Sequence, residues 1–549
     1  MGSFFIFAAH SSRALAAIDP RPVPNFGLMW NNDGDLSFTG QTPSESVRNL
    51  KEMVDRLAGT PVKTLCQSVG AGTDIVYYPT KVASTWGWRP LPNDPEPERT
   101  ARIKAGIDAN IDAPRISGTE AIKLGIRFVP SIRMNDWHYA ANALHDPLTS
   151  RFWMQHHDQL DIGEGHSPLN NPSAAHECAN LLDFGHQETR DYRLAEIDEV
   201  INRYQDIMTG VELDFMRAPI FFRRGEAEQN APLMTDLVRK VRARLDEIGA
   251  RRHRTYYLFV RVPPTLDNCH WAGLEVEKWM SQRLVDVVIP SQLMTLSHDM
   301  PVDKFVAAAG TSGCKIYPAI LPRTGYGWAF SDHPTKASYA AGPDRRPLPE
   351  LIHGAASNYW FMGAAGIQIF NFGWPDDDWT TLVIHNLTQP AALSREDLVY
   401  AITPAYYLDS ENNYQYRKQV PSLLPTDTAK RFTIIVGNRF DQPEKAATPD
   451  YVGLRIGLRG VNAEDVMQVT LNGRVLHNGP LSKVYLPTSA KNDPAAPSAY
   501  VQFPLSDYGL IRQGPNEVRL RFQPSVRGAD CVVNDVQIGV LYKHKLFSW

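Results

Sequence analysis

Glu212 and Asp214 stand two residues apart in the run Gly210-Val211-Glu212-Leu213-Asp214-Phe215-Met216-Arg217. On a strand, alternate side chains share a face, so the two carboxylates project together, ~6.6 Å apart along the chain. Val211, Leu213 and Phe215 form the opposite face, apolar and suited to packing under helices. Two acids on an interior face, with Arg217 close by, are costly to bury without a purpose. Such a pair can divide acid and base work between them. The other use for Glu212 is a structural ion pair with an arginine of a neighbouring strand.

A second polar cluster closes the run Ser131-Ile132-Arg133-Met134-Asn135-Asp136-Trp137-His138. Arg133 and Asn135 share one face by the same alternation, while Asp136 and His138 fall where strand becomes loop. Trp30, Asn31, Arg261, Gln292, Asn371 and Trp374 end other strand-like runs. Asp376, Asp377 and Asp378 are three successive acids in a loop, a pattern that reads as solvated surface.

The elements that must carry these residues alternate between apolar runs and helical stripes. Eight strands are expected, at 25–32, 62–69, 126–136, 209–216, 256–264, 286–294, 315–322 and 366–372. Their nearly continuous apolar character suits strands buried on both faces. Helical spacing appears between them: Val47, Leu50, Val54 and Leu57 make one stripe, and Leu194, Ile197, Val200 and Ile201 another. Further helices are expected over 231–248 and 273–283. Eight such units in one run predict a (β/α)8 barrel rather than a doubly wound open sheet, with reactive groups at the C-terminal ends of the strands. The His-, Pro-, Asn- and Gly-rich stretch 139–179 is expected to be a long loop over the barrel mouth.

After residue 391 the pattern becomes short alternating strands at 431–436, 451–458, 466–471, 499–503, 517–522 and 531–542. Asn472-Gly473 is a hairpin signal. The expected organisation is an N-terminal extension (1–24), a barrel (25–390), a linker (391–424) and an all-β sandwich (425–549).

Composition excludes several classes. A net charge of −4 with scattered basic residues carries no nucleic-acid footprint. The five cysteines form no metal-ligand spacing and no disulfide framework, and no cofactor motif stands out. No apolar run reaches the ~18 residues of a membrane span. The segment 4–9, followed by Ala14-Leu15-Ala16-Ala17, reads as a poor or truncated signal peptide, leaning toward a secreted or periplasmic protein. The 12 Trp suit sugar-stacking surfaces as well as a large core.

The run from Gly210 through Glu212-Leu213-Asp214-Phe215-Met216-Arg217-Ala218-Pro219 resembles a signature of the family-10-like hypothetical glycosyl hydrolases. Asp183-Phe184-Gly185-His186 with Arg190 and Tyr192 is similar to that family's lead-in, with Gln187 where Glu or Pro is usual. Gly273-Leu274-Glu275-Val276 before Trp279, and Leu284-Val285-Asp286, are similar too, with Glu275 where Asp is common. The resemblance spans roughly residues 25–372 and implies a barrel and sugar chemistry, with Asp214 as the matching acid. The C-terminal turns Leu471-Asn472-Gly473 and Gly514-Pro515-Asn516 resemble those of galactose-binding-like jelly rolls.

Glycoside hydrolysis needs one carboxyl as proton donor and a second as nucleophile or as base for water. Asp214 is expected in the second role, kept ionised by Arg217 and Arg261, with Asp136 and then Glu212 as donors. Arg133, Asn135, His138, Gln292 and Asn371 would bind hydroxyls of a poly- or oligosaccharide, and Trp30, Trp137 or Trp374 would stack on it. Several arginines around the mouth would also suit an acidic or sulfated sugar. The competing expectations are a non-catalytic carbohydrate-binding barrel and a metal-dependent hydrolase or lyase using His138, His186 and Asp214.

Overall fold

The computed structural model describes residues 21–542 apart from 35–36, 73, 294, 323–348, 373–377, 405–418, 427, 440–447, 463, 477–480, 484–496 and 527–529. It is a mixed α/β protein with one large parallel sheet and further antiparallel sheets. The parallel sheet comprises β1 (Leu28–Asn32), β2 (Val62–Ser68), β3 (Arg127–Arg133), β4 (Gly210–Asp214), β5 (Tyr257–Val262), β6 (Val287–Pro290), β7 (Lys315–Ile316), β8 (Ala319–Ile320) and β9 (Gln368–Ile369).

The two ends of this sheet are consecutive pieces of chain. β7 pairs with β6, while β8 pairs with β9, which in turn pairs with β1. Only Tyr317 and Pro318 separate β7 from β8. Pro318 has no N–H to give to a ladder, which breaks the single strand expected over 315–322 into two. The sheet therefore curls until its hydrogen bonding returns on itself through one segment.

Six of the nine strands divide their apolar side chains between two cores. Met29, Cys66, Val129, Phe259, Ile289 and Phe370 cluster on the inner face. Trp30, Leu65, Phe128, Val211, Leu213 and Val260 join the larger cluster under the helices. The helices start where the sequence provides caps. In α1 (Pro43–Asp55), Thr42 and Glu45 form a reciprocal capping box. In α2 (Gln187–Tyr204), Ile197, Val200, Ile201 and Tyr204 are buried against the sheet.

The stretch 139–179 is not the bare loop expected from its composition. It holds helices Arg151–Leu160 and Pro172–Ala179, capped by Ser150 and Asn171, whose side-chain oxygens accept from backbone N–H groups two or three residues on. The expected helix over 273–283 is shorter, Val276–Ser281, and a separate short helix, Leu266–Trp271, precedes it across Gly273 at φ 75°. The third strand ends at Arg133 rather than at 136.

Beyond the parallel sheet the chain forms antiparallel sheets of six and four strands. The segment 391–424, expected as a linker, contains β10 (Leu398–Ile402) and the short strand Ser422–Leu424. Both pair with the long strand Cys531–Leu541, so part of the linker is sheet. The run Leu398-Val399-Tyr400-Ala401-Ile402 is buried throughout and lacks the alternation by which the other strands announce themselves. Asn472 and Gly473 form the hairpin turn, both at positive φ (51° and 86°), as such a two-residue turn requires.

Helix α3 (Pro349–Phe361) packs on β10, and at Gly354 there is no room for a side chain. A Cβ there would lie 2.1 Å from the Val399 carbonyl oxygen. Gly354→Ala is expected to lower stability by about 1–3 kcal/mol through overpacking. Urea denaturation checks this, and an unchanged midpoint would contradict the packing.

Candidate active site

The site is set by register. Arg133, Asp214 and Arg261 are direct partners across β3, β4 and β5. One layer below them, Ser131, Glu212 and Phe259 form the neighbouring inward row. Both rows lie at or near the C-terminal ends of their strands.

Asp214 is clamped rather than free. Arg261 donates to it in a fork, Nε to Oδ1 at 3.0 Å and Nη2 to Oδ2 at 2.8 Å. Oδ1 also accepts from the Met216 N–H at 2.8 Å. The third Arg261 arm donates to Ser291 Oγ at 3.1 Å, and its guanidinium lies 3.8 Å over the Phe370 ring. Both partners are buried, so the fork holds two charges that would be expensive apart.

Glu212 lies deeper and is wholly buried. It makes no ion pair: Ser131 Oγ donates to Oε1 at 2.6 Å and Gln368 Nε2 to Oε2 at 2.8 Å. Burial, with the Asp214 charge beside it, pushes its carboxyl above the usual range. The arginine of a neighbouring strand thus serves Asp214, and Glu212 is a hydrogen-bonded acid in the floor.

Arg133 turns to other partners. Its Nη1 donates to Asp136 Oδ2 at 2.6 Å, and its Nη2 to the carbonyl and the Oδ1 of Asp33, each at 3.2 Å. Asp136 is fully buried and also accepts from the His138 N–H at 3.0 Å and from His138 Nδ1. Burial alone would push Asp136 up, but the charges on His138, Arg133 and Arg217 outweigh it and hold the carboxyl below the usual range. Asp33 behaves alike: burial raises it, while Arg217, Arg133 and His138 prevail and hold it low.

Arg217, expected beside Asp214, instead pairs with Asp33 (Nη2 to Oδ2, 3.3 Å) and meets His138 Nε2 at 3.4 Å. The mouth is therefore a chain of alternating charge running through Arg133, Asp33 and Arg217, with Asp136 and His138 attached and the Asp214–Arg261 fork beneath. Among these side chains His138 is 48% exposed and Asp33 18%, whereas Asp136 is sealed.

Other expected residues are placed differently. Trp30 is buried in the helix-facing core, so it offers no platform to a sugar. Asn135 is also sealed, and its amide donates to the carbonyls of Leu182 (2.9 Å) and Ile220 (2.8 Å), joining two loops. Trp137 is half-buried against the core. Asn31 and Gln292 are buried, and each keeps a side-chain oxygen without a hydrogen-bond partner. Asn371 takes positive φ (57°) directly after β9. Trp374, Asp376 and Asp377 lie outside the described residues. His186 faces Asp183 at 3.6 Å, in a separate cluster with Arg223. Among the described residues no group of three or more His, Cys, Asp or Glu is arranged to hold a metal ion.

Asp33 is the residue the strand-end reading passed over. It sits one position beyond β1 in Asn31-Asn32-Asp33-Gly34, where the Asn-Asp-Gly composition reads as a turn. Phe370, the platform under two arginines, looks like ordinary core.

No family model matches the chain, and no curated protein matches it. Solved structures that resemble it include carbohydrate-active enzymes of several kinds. They include the catalytic domain of a psychrophilic chitinase B from Arthrobacter TAD20 (10% identity, TM-score 0.38, 65% of this chain and 94% of that one). A maltogenic α-amylase from Thermotoga neapolitana follows (7%, TM-score 0.37, 90% and 99%). A Paenibacillus cycloisomaltooligosaccharide glucanotransferase matches at 8% and TM-score 0.34 over 93% of this chain, which spans 57% of that enzyme's length. At these TM-scores the likeness carries no argument, and the functional reading stands on the residues themselves.

Two substitutions probe the buried acids. Arg261→Met strands the Asp214 charge, with an expected loss of about 3–5 kcal/mol in urea denaturation at neutral pH. A loss under ~1 kcal/mol would contradict the fork's role. Glu212, with its folded pKa raised, contributes stability that is full below ~4.3 and is lost as pH rises through the folded value. Glu212→Gln should therefore gain on wild type as pH climbs from ~4, and a pH-independent difference would contradict the shift.

Proposed function

We propose that the protein is a glycoside hydrolase: a (β/α)8 barrel spanning 25–390, followed by a β-sandwich over 425–549 to which β10 is joined. The observation that carries this reading is the ion-paired set of buried Arg133, Asp136, Asp214, Arg217 and Arg261 with the partly exposed Asp33, at the C-terminal ends of β1, β3, β4 and β5 in one parallel sheet. Burying so many charges is expensive, and parallel barrels keep their chemistry at that end. Acidic groups held ionised beside a solvent-reaching imidazole supply what hydrolysis of an acetal needs, a proton donor and an acceptor for water's proton.

The substrate class follows from charge balance. Each arginine of the mouth already faces a carboxylate, which favours a neutral poly- or oligosaccharide over an acidic or sulfated one. A second reading, a carbohydrate-binding barrel without turnover, is favoured by one observation: the Arg261 fork occupies both oxygens of Asp214.

A screen of reducing-end release and chromogenic glycosides, run on wild type beside Asp214→Asn, tests the proposal. Turnover by wild type that falls at least ~100-fold in the variant, with its circular dichroism intact, is the expected result. Turnover equal in both removes Asp214 from the mechanism. Glycan binding without turnover favours the second reading.

A further inference from the structure

The acids of the mouth differ in what they can touch. Asp136 has no exposed surface and Asp214 almost none. In front of them stand two side chains that reach solvent, Asp33 and His138. One atom joins these two: Arg217 Nη2 contacts Asp33 Oδ2 at 3.3 Å and His138 Nε2 at 3.4 Å. The carboxylate oxygen and the imidazole nitrogen are thus no farther apart than those two contacts laid end to end.

We infer that Asp33 and His138 are the groups in direct contact with the sugar, and that Asp136, Asp214 and Arg217 act behind them as positioning residues. The inference rests on the glycoside hydrolase reading and names its catalytic pair. His138 is held as proton-transferring residues are: Asp136, buried and ionised, takes Nδ1, while Nε2 lies against Arg217 Nη2 on an imidazole that is half exposed. The charged groups around the imidazole are Asp136, Arg133 of β3, Arg217 after β4, Asp33 after β1 and Asp146. Arg217 and Arg133 keep Asp33 ionised, the form that can accept a proton.

With Nε2 protonated and turned from Arg217 to the glycosidic oxygen, the imidazole gives up that proton, and the bond from the oxygen to the anomeric carbon breaks with its electron pair going to the oxygen. A water oxygen forms the new bond to the anomeric carbon while its proton passes to Asp33. Return of that proton from Asp33 to Nε2 through solvent resets the pair, and the net change is one water consumed per bond cleaved.

The test takes the glycan found to turn over and compares wild type with Asp33→Asn, His138→Ala and His138→Gln. Each variant is expected to lose at least ~100-fold in kcat with KM within ~3-fold, and melting temperatures should stay close to wild type. Added imidazole is expected to restore at least ~10-fold to His138→Ala, which a merely structural residue would not allow. Either residue's variant remaining within ~3-fold of wild type overturns the inference, while Asp214→Asn still reports on the broader reading. A His138→Ala loss that imidazole leaves untouched also overturns it. Wild type inert on every glycan removes the hydrolase reading and this inference together.

Discussion

The Asp214–Arg261 fork is the interaction on which the rest of the site depends. Neither charge could occupy the inside of the curled sheet alone, because desolvating an isolated ion costs several kcal/mol even after relaxation. Register places them opposite each other on β4 and β5, so the fork forms without either backbone moving. The Phe370 ring beneath Arg261 and the Ser291 hydroxyl beside it occupy the remaining faces of the guanidinium. With Arg261 consumed, Arg133 and Arg217 are left for Asp33 and Asp136.

A layered mouth follows. Apolar side chains and the hydrogen-bonded Glu212 fill the floor, the fork lies above, and the Asp33–Arg217–His138 line faces solvent. The surrounding chain is tied to the same end. Arg223 donates to the carbonyls of Asp161 and Ile162, and Arg224 to those of Ser167 and Leu169, stapling the 139–179 excursion to the segment after β4. Asn135 adds a third tie through Leu182 and Ile220. These ties hold the polar rim in place, with His138 and Asp33 the members of it that reach solvent.

Much of this was legible in the sequence, and the limits have physical causes. Alternation alone placed Glu212 and Asp214 on the inner face of β4, because period-2 geometry leaves no other choice once Val211, Leu213 and Phe215 need a core. It could not say which acid would meet Arg261, since that depends on register between strands. Trp30 reads as a sugar platform by type, yet its position in β1 turns it toward the helices. Arg217 was expected at Asp214, but it follows the strand end, where the chain bends and alternation stops predicting direction. Asp33 was passed over because turn composition hides a charged side chain that only folding brings beside Arg133 and Arg217. The sheet strand Leu398–Ile402 was read as linker because it lacks alternation, being buried on both sides.

The most direct measurement is a crystal structure of the protein with a bound neutral oligosaccharide or a basic iminosugar. The account predicts a sugar ring at the mouth, with Asp33 and His138 within hydrogen-bonding reach of ~2.6–3.2 Å. Density confined to the shallow groove on the four-stranded antiparallel sheet, beside Val466, Val475 and Arg521, would contradict it.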